Sequence, residues 1–259
     1  MYVNKVKEKI KKGLPVLGFG MGEISTNQVE IAGILGLDFI IVDTEHSPLT
    51  PRDVEPLFIA AERRGIVPMV GIGNKCESEI LKFLEVGAMG VLFPDVRNPE
   101  EVRELLNYVK YAPEGQRGMR SMRTADWALT MSREEIHKMA NEQIMFMVAI
   151  ESEEAVSKVE EIVSIDGVDG VYFGPNDYSV TIGIPGEKNN PLVLEARKKV
   201  IAACKKYNKA FNSSAMKPDD IKKAYEAGAT MISASSTAII AGACKKFKES
   251  YDQLVSEIE

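Results

Sequence analysis

The sequence is short of the residues that mark several specialised classes of protein. Only three of its 259 residues are cysteine, Cys76, Cys204 and Cys244, too far apart for a C-x-x-C redox or zinc pair. Widely spaced thiols suit a reducing compartment, so the expected location is cytoplasmic. Positive charge is in deficit: 32 Lys and Arg face 38 Asp and Glu, a formal net charge of −6. A nucleic-acid surface requires the opposite surplus, so no nucleic-acid partner is expected. No apolar run approaches the roughly 18 residues of a membrane helix. The lysine-rich residues 1–12 lack the continuous apolar core of a signal peptide, and no membrane partner is expected either. What remains is a chain with 45% hydrophobic and 27% charged residues, ordinary for a globular protein. No linker or composition shift divides it, and residues 1–259 read as one domain.

Short apolar runs alternate with longer amphipathic ones from end to end. Residues 15–20, 39–43, 67–71, 90–94, 144–150, 168–174, 210–214 and 231–235 read as strands. The run 39–43 is apolar throughout rather than alternating, as in a parallel strand covered on both faces. Helical spacing follows at 26–35, 53–64, 78–86, 99–110, 153–163, 192–207, 218–227 and 237–258, with prolines at several starts and glycines at several ends. A strand then a helix, eight times in about 250 residues, is the count of an α/β TIM (β/α)8 barrel. A doubly wound open sheet, the competing architecture, is better served by five or six strands. Residues 111–131 break the rhythm with Pro113, Gly115, Gly118 and the single tryptophan, Trp127. A loop this long is more often functional than idle, and it is expected to overhang the barrel rim.

In such a barrel the reactive groups stand at the C-terminal ends of the strands. Strand two ends in Asp43, Thr44, Glu45 and His46, strand four runs into Asp95, and strand five ends in Glu151. Strand six runs through Gly174, Pro175 and Asn176 to Asp177, and strands seven and eight end in serine pairs. Glu151 and Asp177 follow apolar runs on adjacent strands and would be neighbours on one rim. Two bare carboxylates there repel, and each is costly beside an apolar core. A divalent cation such as Mg2+ or Mn2+ resolves the conflict with oxygen ligands; pairing with arginine or helix capping is the alternative. His46, beside Asp43 and Glu45, suits a general base whose tautomer a carboxylate fixes; the alternative is a strand-end imidazole satisfied by a carbonyl. His137 lies in a polar helix and reads as surface. Successive N–H groups along 174–177, leading into a short helix, suit a small carboxylate. Gly18, Gly20 and Gly22 miss a dinucleotide fingerprint, because Glu23 stands where the third glycine belongs. Lys75, Lys209 and Lys217 lie in polar surroundings, unlike a Schiff-base lysine.

Residues 39–46, Gly115–Gly118, 150–152 and 170–179 together resemble the HpcH/HpaI family of metal-dependent class II aldolases, over a span from about Gly13 to about Lys246. The resemblance implies a TIM barrel that cleaves or forms a 4-hydroxy-2-oxo acid through a metal-stabilised pyruvate enolate. Its partners would be a small 2-oxo acid and an aldehyde, its cofactor Mg2+, Mn2+ or Co2+. Its assembly would be a homo-oligomer, commonly a hexamer, that exchanges the last helix between subunits. By matching position, Glu151 and Asp177 resemble the metal ligands. His46, supported by Asp43, resembles the base that acts through water. Glu85 falls where the family usually has an aspartate near that histidine, and the backbone of Gly174, Pro175, Asn176 and Asp177 resembles the pyruvate carboxylate cradle.

Two positions depart from the family. Gly71 stands where the third strand normally ends in an arginine that steadies the enolate, and Ala149 where a glutamine is usual. A lost guanidinium costs on the order of 2.7–4 kcal/mol unless something replaces it. Arg120 or Arg123, from the long loop, are the candidate substrate-binding replacements, with a solvated loop as the alternative; Arg117 is less suited because it matches a family loop position. The departures leave open a related enolate-forming lyase or decarboxylase on another substrate, or a ligand-binding barrel without chemistry.

Overall fold

The computed structural model describes residues 2–120, 122–215 and 217–258; residues 1, 121, 216 and 259, among them both ends of the expected domain, lie outside the described residues. Eight parallel strands close into a barrel in sequence order. They are β1 (Val16–Met21), β2 (Phe39–Asp43), β3 (Val67–Gly71), β4 (Gly90–Phe93), β5 (Met145–Ile150), β6 (Gly170–Phe173), β7 (Ala210–Ser214) and β8 (Met231–Ser235). All eight expected strands are present within a few residues of the expected bounds. Helix α1 (Lys5–Lys11) precedes the barrel, and α2 (Thr26–Ile34), α3 (Pro51–Arg64), α4 (Glu77–Val86) and α5 (Pro99–Val109) follow β1 to β4. A 3-10 turn (Arg123–Ala128) and α6 (Arg133–Gln143) lead into β5. Then come α7 (Glu153–Ser157), α8 (Val159–Val163), α9 (Pro175–Thr181), α10 (Pro191–Lys206), α11 (Pro218–Glu226) and α12 (Ser236–Ile258). No described helix is long and apolar enough to cross a membrane.

The continuous helix expected over 153–163 is broken at Lys158, where φ is −106° and ψ is 12°. The Ser157 hydroxyl donates back to the Glu154 carbonyl at 2.6 Å, the local competition that makes serine a poor helix-interior residue. At the other end of the molecule α1 closes the barrel floor. Its cap, Asn4, is fully buried. The Asn4 carboxamide donates to the carbonyls of Met89 and Gln143, both at 2.9 Å, and accepts from the Val6 and Lys7 N–H groups. Val6 thereby becomes part of the apolar barrel interior with Phe39, Met69, Met145, Met147 and Met231.

Unbranched methionines fill the irregular interior, where their flexible thioethers adapt to the taper. Phe39 occupies the space over Gly18, where any side-chain carbon would collide with its ring and carbonyl. The apolar filling stops one layer below the mouth. Above Met69 and Met147 the inward positions become Gly71, Ala149, Tyr172, Asn212 and Ser233, and there the chain spends its polar side chains.

Candidate active site

A cleft of about 410 Å³ opens at the C-terminal ends of the strands. It is lined by Asp43, Glu45, His46, Glu151 and Asp177, with Gly71, Leu92 and Ala149 between them and Tyr172, Asn212, Ser233, Ser235 and Thr237 opposite. The expected Asp43, His46, Glu151 and Asp177 are thus brought together. Among the described lining residues there is no lysine or arginine.

Glu151 is the buried member, 7% exposed. Its Oε2 accepts from the Asp95 N–H at 2.8 Å. Its Oε1 lies so close to the Gly174 backbone that any side chain at 174 would collide with it; glycine is required here by close approach. Asp95 presents its N–H from a left-handed turn, φ +40°, a conformation that Asp tolerates better than most residues. That turn is held from outside. Lys75 donates to the Asp95 carbonyl at 2.9 Å and to Glu101 at 2.6 Å, and Arg97 chelates Asp95 Oδ2 at 3.2 and 2.7 Å. Burial is the largest influence on Glu151 and pushes its carboxyl up to about 7; Asp177, Glu45 and Asp95 push the same way, while the Asp95 N–H opposes them. Glu45 is raised too, first by burial.

This donor chemistry fits a divalent cation. Four carboxylates, Asp43, Glu45, Glu151 and Asp177, crowd one cleft with no lysine or arginine among the described lining residues. Hard oxygen donors of this kind suit Mg2+ or Mn2+, which keep several waters and need only one or two carboxylates. Among the described residues no three Asp, Glu, His or Cys side chains converge to hold a metal ion by themselves. Glu151 and Asp177 are the candidate pair.

Several expected placements differ in detail. Asp43 does not hold the His46 ring: its Oδ1 accepts the Glu45 and His46 N–H groups at 2.9 and 3.1 Å, the local turn-forming habit of aspartate. Glu45 is the ring's neighbour instead, 3.6 Å from Nε2, with the His46 side chain 69% exposed. Glu85 lies in the last turn of α4, outside the cleft lining, where the charge facing it belongs to Arg117. Arg117 is buried over the Tyr111 ring, 4.6 Å from its centroid.

The long loop does not overhang the mouth. Arg123 lines a separate cavity with Tyr2, Gly87 and Met89, at the N-terminal end of β4. It donates to Glu62 at 2.6 Å and to the Val86 carbonyl at 2.8 Å. The carboxylate and the C-terminal dipole of α4 satisfy the guanidinium there, so it is not a substrate-binding group of this cleft. Arg120 is exposed and does not line the cleft. His137 is half-buried rather than on the surface, stacked on Tyr111 with centroids 4.1 Å apart. Tyr172, Asn212 and Ser233 escaped the sequence reading, which searched strand ends; their signal is the inward position of each two-residue alternation inside the runs.

A model of the HpcH/HpaI aldolase/citrate lyase family matches residues 23–241. A hydroxypyruvate/pyruvate aldolase from Sagittula stellata is 33% identical over 193 residues, 74% of this chain and 76% of that protein. A 2-keto-3-deoxy-L-rhamnonate aldolase from Escherichia coli is 27% identical over 234 residues, 90% of this chain and 86% of its own. The crystal structure of an HpcH/HpaI aldolase from Desulfitobacterium hafniense DCB-2 has a TM-score of 0.87 at 30% identity and covers 95% of both chains.

The raised Glu151 carboxyl makes stability depend on pH. The folded state holds this proton more tightly than the unfolded state, whose carboxyl has the ordinary value of 4.5. The contribution is therefore complete below pH 4.5 and is lost as pH rises to about 7. In metal-free buffer, urea unfolding of wild type and Glu151→Gln should show the wild type losing about 3 kcal/mol relative to the variant across that window. A pH-independent difference contradicts the burial argument.

Proposed function

The chain belongs to the HpcH/HpaI aldolase/citrate lyase family, and from that premise we propose that it is a carbon–carbon lyase of the aldol type, cleaving or forming a 4-hydroxy-2-oxo acid with a divalent cation. The observation that carries this reading is Glu151, an acid buried at the barrel mouth beside Asp177 and Glu45 in a cleft without lysine or arginine. Relatives named as pyruvate, hydroxypyruvate and 2-keto-3-deoxy-L-rhamnonate aldolases support the same reaction class. Glu151 and Asp177 would hold Mg2+, Mn2+ or Co2+, since one oxygen site binds all three with graded affinity. When bound, such a cation polarises the substrate's C2 carbonyl as a Lewis acid.

The protein's own groups bind, orient and move the proton. Gly174 N–H already donates to the Ile150 carbonyl at 3.2 Å and Pro175 has none, so the carboxylate cradle narrows to Asn176 and Asp177. Their N–H groups stand in the first turn of α9, where a helix offers no internal acceptor. His46 takes the C4 hydroxyl proton through a water as the C3–C4 bond breaks, and returns it in synthesis. Glu45 Oε2, 3.6 Å from Nε2, is the carboxylate beside the ring as it takes the proton. Nothing at Gly71 steadies the charge developing on the C2 oxygen, although a side-chain carbon there would meet no atom closer than 3.9 Å. A second reading forms the same enolate by loss of carbon dioxide from a substrate such as oxaloacetate, for which the open position at Gly71 leaves room.

Assaying pyruvate release from a 4-hydroxy-2-oxo acid and from oxaloacetate, with added Mg2+ or Mn2+, separates the two readings. Aldol cleavage that falls at least 100-fold in Glu151→Ala, a loss typical of removing a group that stabilises the transition state, supports the first. Release confined to oxaloacetate favours the second, and equal release by wild type and Glu151→Ala sinks both.

A homo-oligomer, hexameric by the family's habit and exchanging its last helix, is part of the same proposal. Helix α12 packs chiefly against β1 and β8 and leaves Ile240, Phe247, Tyr251, Leu254 and Ile258 exposed. Positions 240, 247 and 254 recur every seven residues, the spacing of a helix seam that wants a partner. Light scattering should report an oligomer for the wild type and a smaller species for Phe247→Glu; a monomeric wild type contradicts the assembly.

A further inference from the structure

The cleft has two unlike walls. Asp43, Glu45 and Glu151 and the small or apolar Gly71, Leu92 and Ala149 belong to β2 to β5 or the turns after them, whereas β6 to β8 contribute Tyr172, Asn212 and Ser233, with Asp177 above them in the first turn of α9. The three are laterally contiguous: Tyr172 pairs with Asn212 across β6 and β7, and Ser214 pairs with Ser233 across β7 and β8. Asn212 is 2% exposed. Among the described residues, the one hydrogen bond to its side chain comes from Ser233 Oγ to Oδ1 at 3.3 Å. Its Nδ2, which carries two donors, has no protein acceptor among them. Among the described residues the Tyr172 hydroxyl has only a long contact with Ser214 Oγ, 3.4 Å. A buried carboxamide with idle donors facing a cavity is costly unless a ligand or water completes it.

Resting on the aldolase reading above, we propose that the β6–β8 wall is the subsite for the aldehyde half of the substrate. It selects a short, uncharged aldehyde with a hydroxyl on the carbon next to the carbonyl, and Asn212 and Ser233 are the specificity-determining pair. A hydroxyl both accepts and donates, so it can receive from Asn212 Nδ2 and give to Ser233 Oγ. On this wall an aldehyde bearing a carboxylate or phosphate meets no cationic side chain, because among the described residues no lysine or arginine lines the cleft; Arg197, bonded to Ser213 Oγ at 3.0 Å, lies outside the lining. In synthesis, pyruvate loses a methyl proton, the C3–C4 bond forms at the aldehyde carbon, and the aldehyde oxygen gains a proton. The neighbouring hydroxyl is bound and takes no part in the bond changes.

The test compares glycolaldehyde with propanal, its isostere with methyl in place of hydroxyl, and with succinic semialdehyde, as acceptors for pyruvate. The ratio of kcat/KM values within one protein cancels any loss of active fraction. The wild type should prefer glycolaldehyde over both at least 10-fold, since a site built to bond a hydroxyl rejects the analogue lacking it. In Asn212→Leu the preference over propanal should collapse to within about 3-fold, with a smaller fall in Ser233→Ala. No preference in the wild type, or a preference that survives in both variants, overturns the subsite. Exchange of pyruvate methyl protons in D2O without aldehyde separates the two failures. Exchange without hydroxyl preference sinks the subsite alone, whereas no exchange in the wild type sinks the aldolase reading and the subsite with it.

Discussion

Burying a carboxylate among other carboxylates costs free energy that a proton or a cation must return. Glu151 sits under that constraint. Among the described residues its carboxylate has one protein donor, a backbone N–H, and no lysine or arginine lines the cleft; its neighbours Asp177, Glu45 and Asp95 all raise it. The turn that supplies its N–H is itself held by Lys75, Glu101 and Arg97 outside the cleft. Basic residues near the mouth therefore fix the geometry of the acid rather than neutralise it, and the charge is left for something that binds.

The barrel makes this arrangement affordable by separating two demands on its interior. Below, α1 and the methionine-rich filling give an apolar plug that needs no polar group except the fully used Asn4. Above, side chains shrink to Gly71 and Ala149 on one side and turn polar at Tyr172, Asn212 and Ser233 on the other. The missing guanidinium at Gly71 and the polar wall opposite both alter what the cleft can hold. In the proposed reaction the first would leave the developing charge to the cation, and the second offers hydrogen bonds where an apolar wall would give only contact.

The architecture was legible because eight buried parallel strands leave eight apolar runs, and every run became a strand. The rim acids were legible for a related reason: a carboxylate that ends an apolar run lies at the mouth end of the barrel, although Asp95 turns its own carboxylate to Arg97 instead of the cleft. Side-chain partners were less so. Asp43 was expected on the His46 imidazole and instead caps its backbone, because aspartate's short arm reaches local N–H groups first. Arg123 was expected at the rim and instead binds Glu62 and the end of α4; a loop's composition does not say which end of a barrel it crosses. Asn212, in the apolar-flanked run 210–214, shows how an inward polar residue hides within a strand until the pleat direction is known.

The most direct measurement is a Mn2+ titration followed by electron paramagnetic resonance, which counts free ion at equilibrium, on wild type, Glu151→Gln and Asp177→Asn. The account predicts one site per chain in the wild type, tightening as pH rises through about 7 because the ion competes with the Glu151 proton, and a loss of at least 10-fold in affinity in each variant, the scale of loss on perturbing a metal site. Equal Mn2+ binding by all three proteins would contradict it.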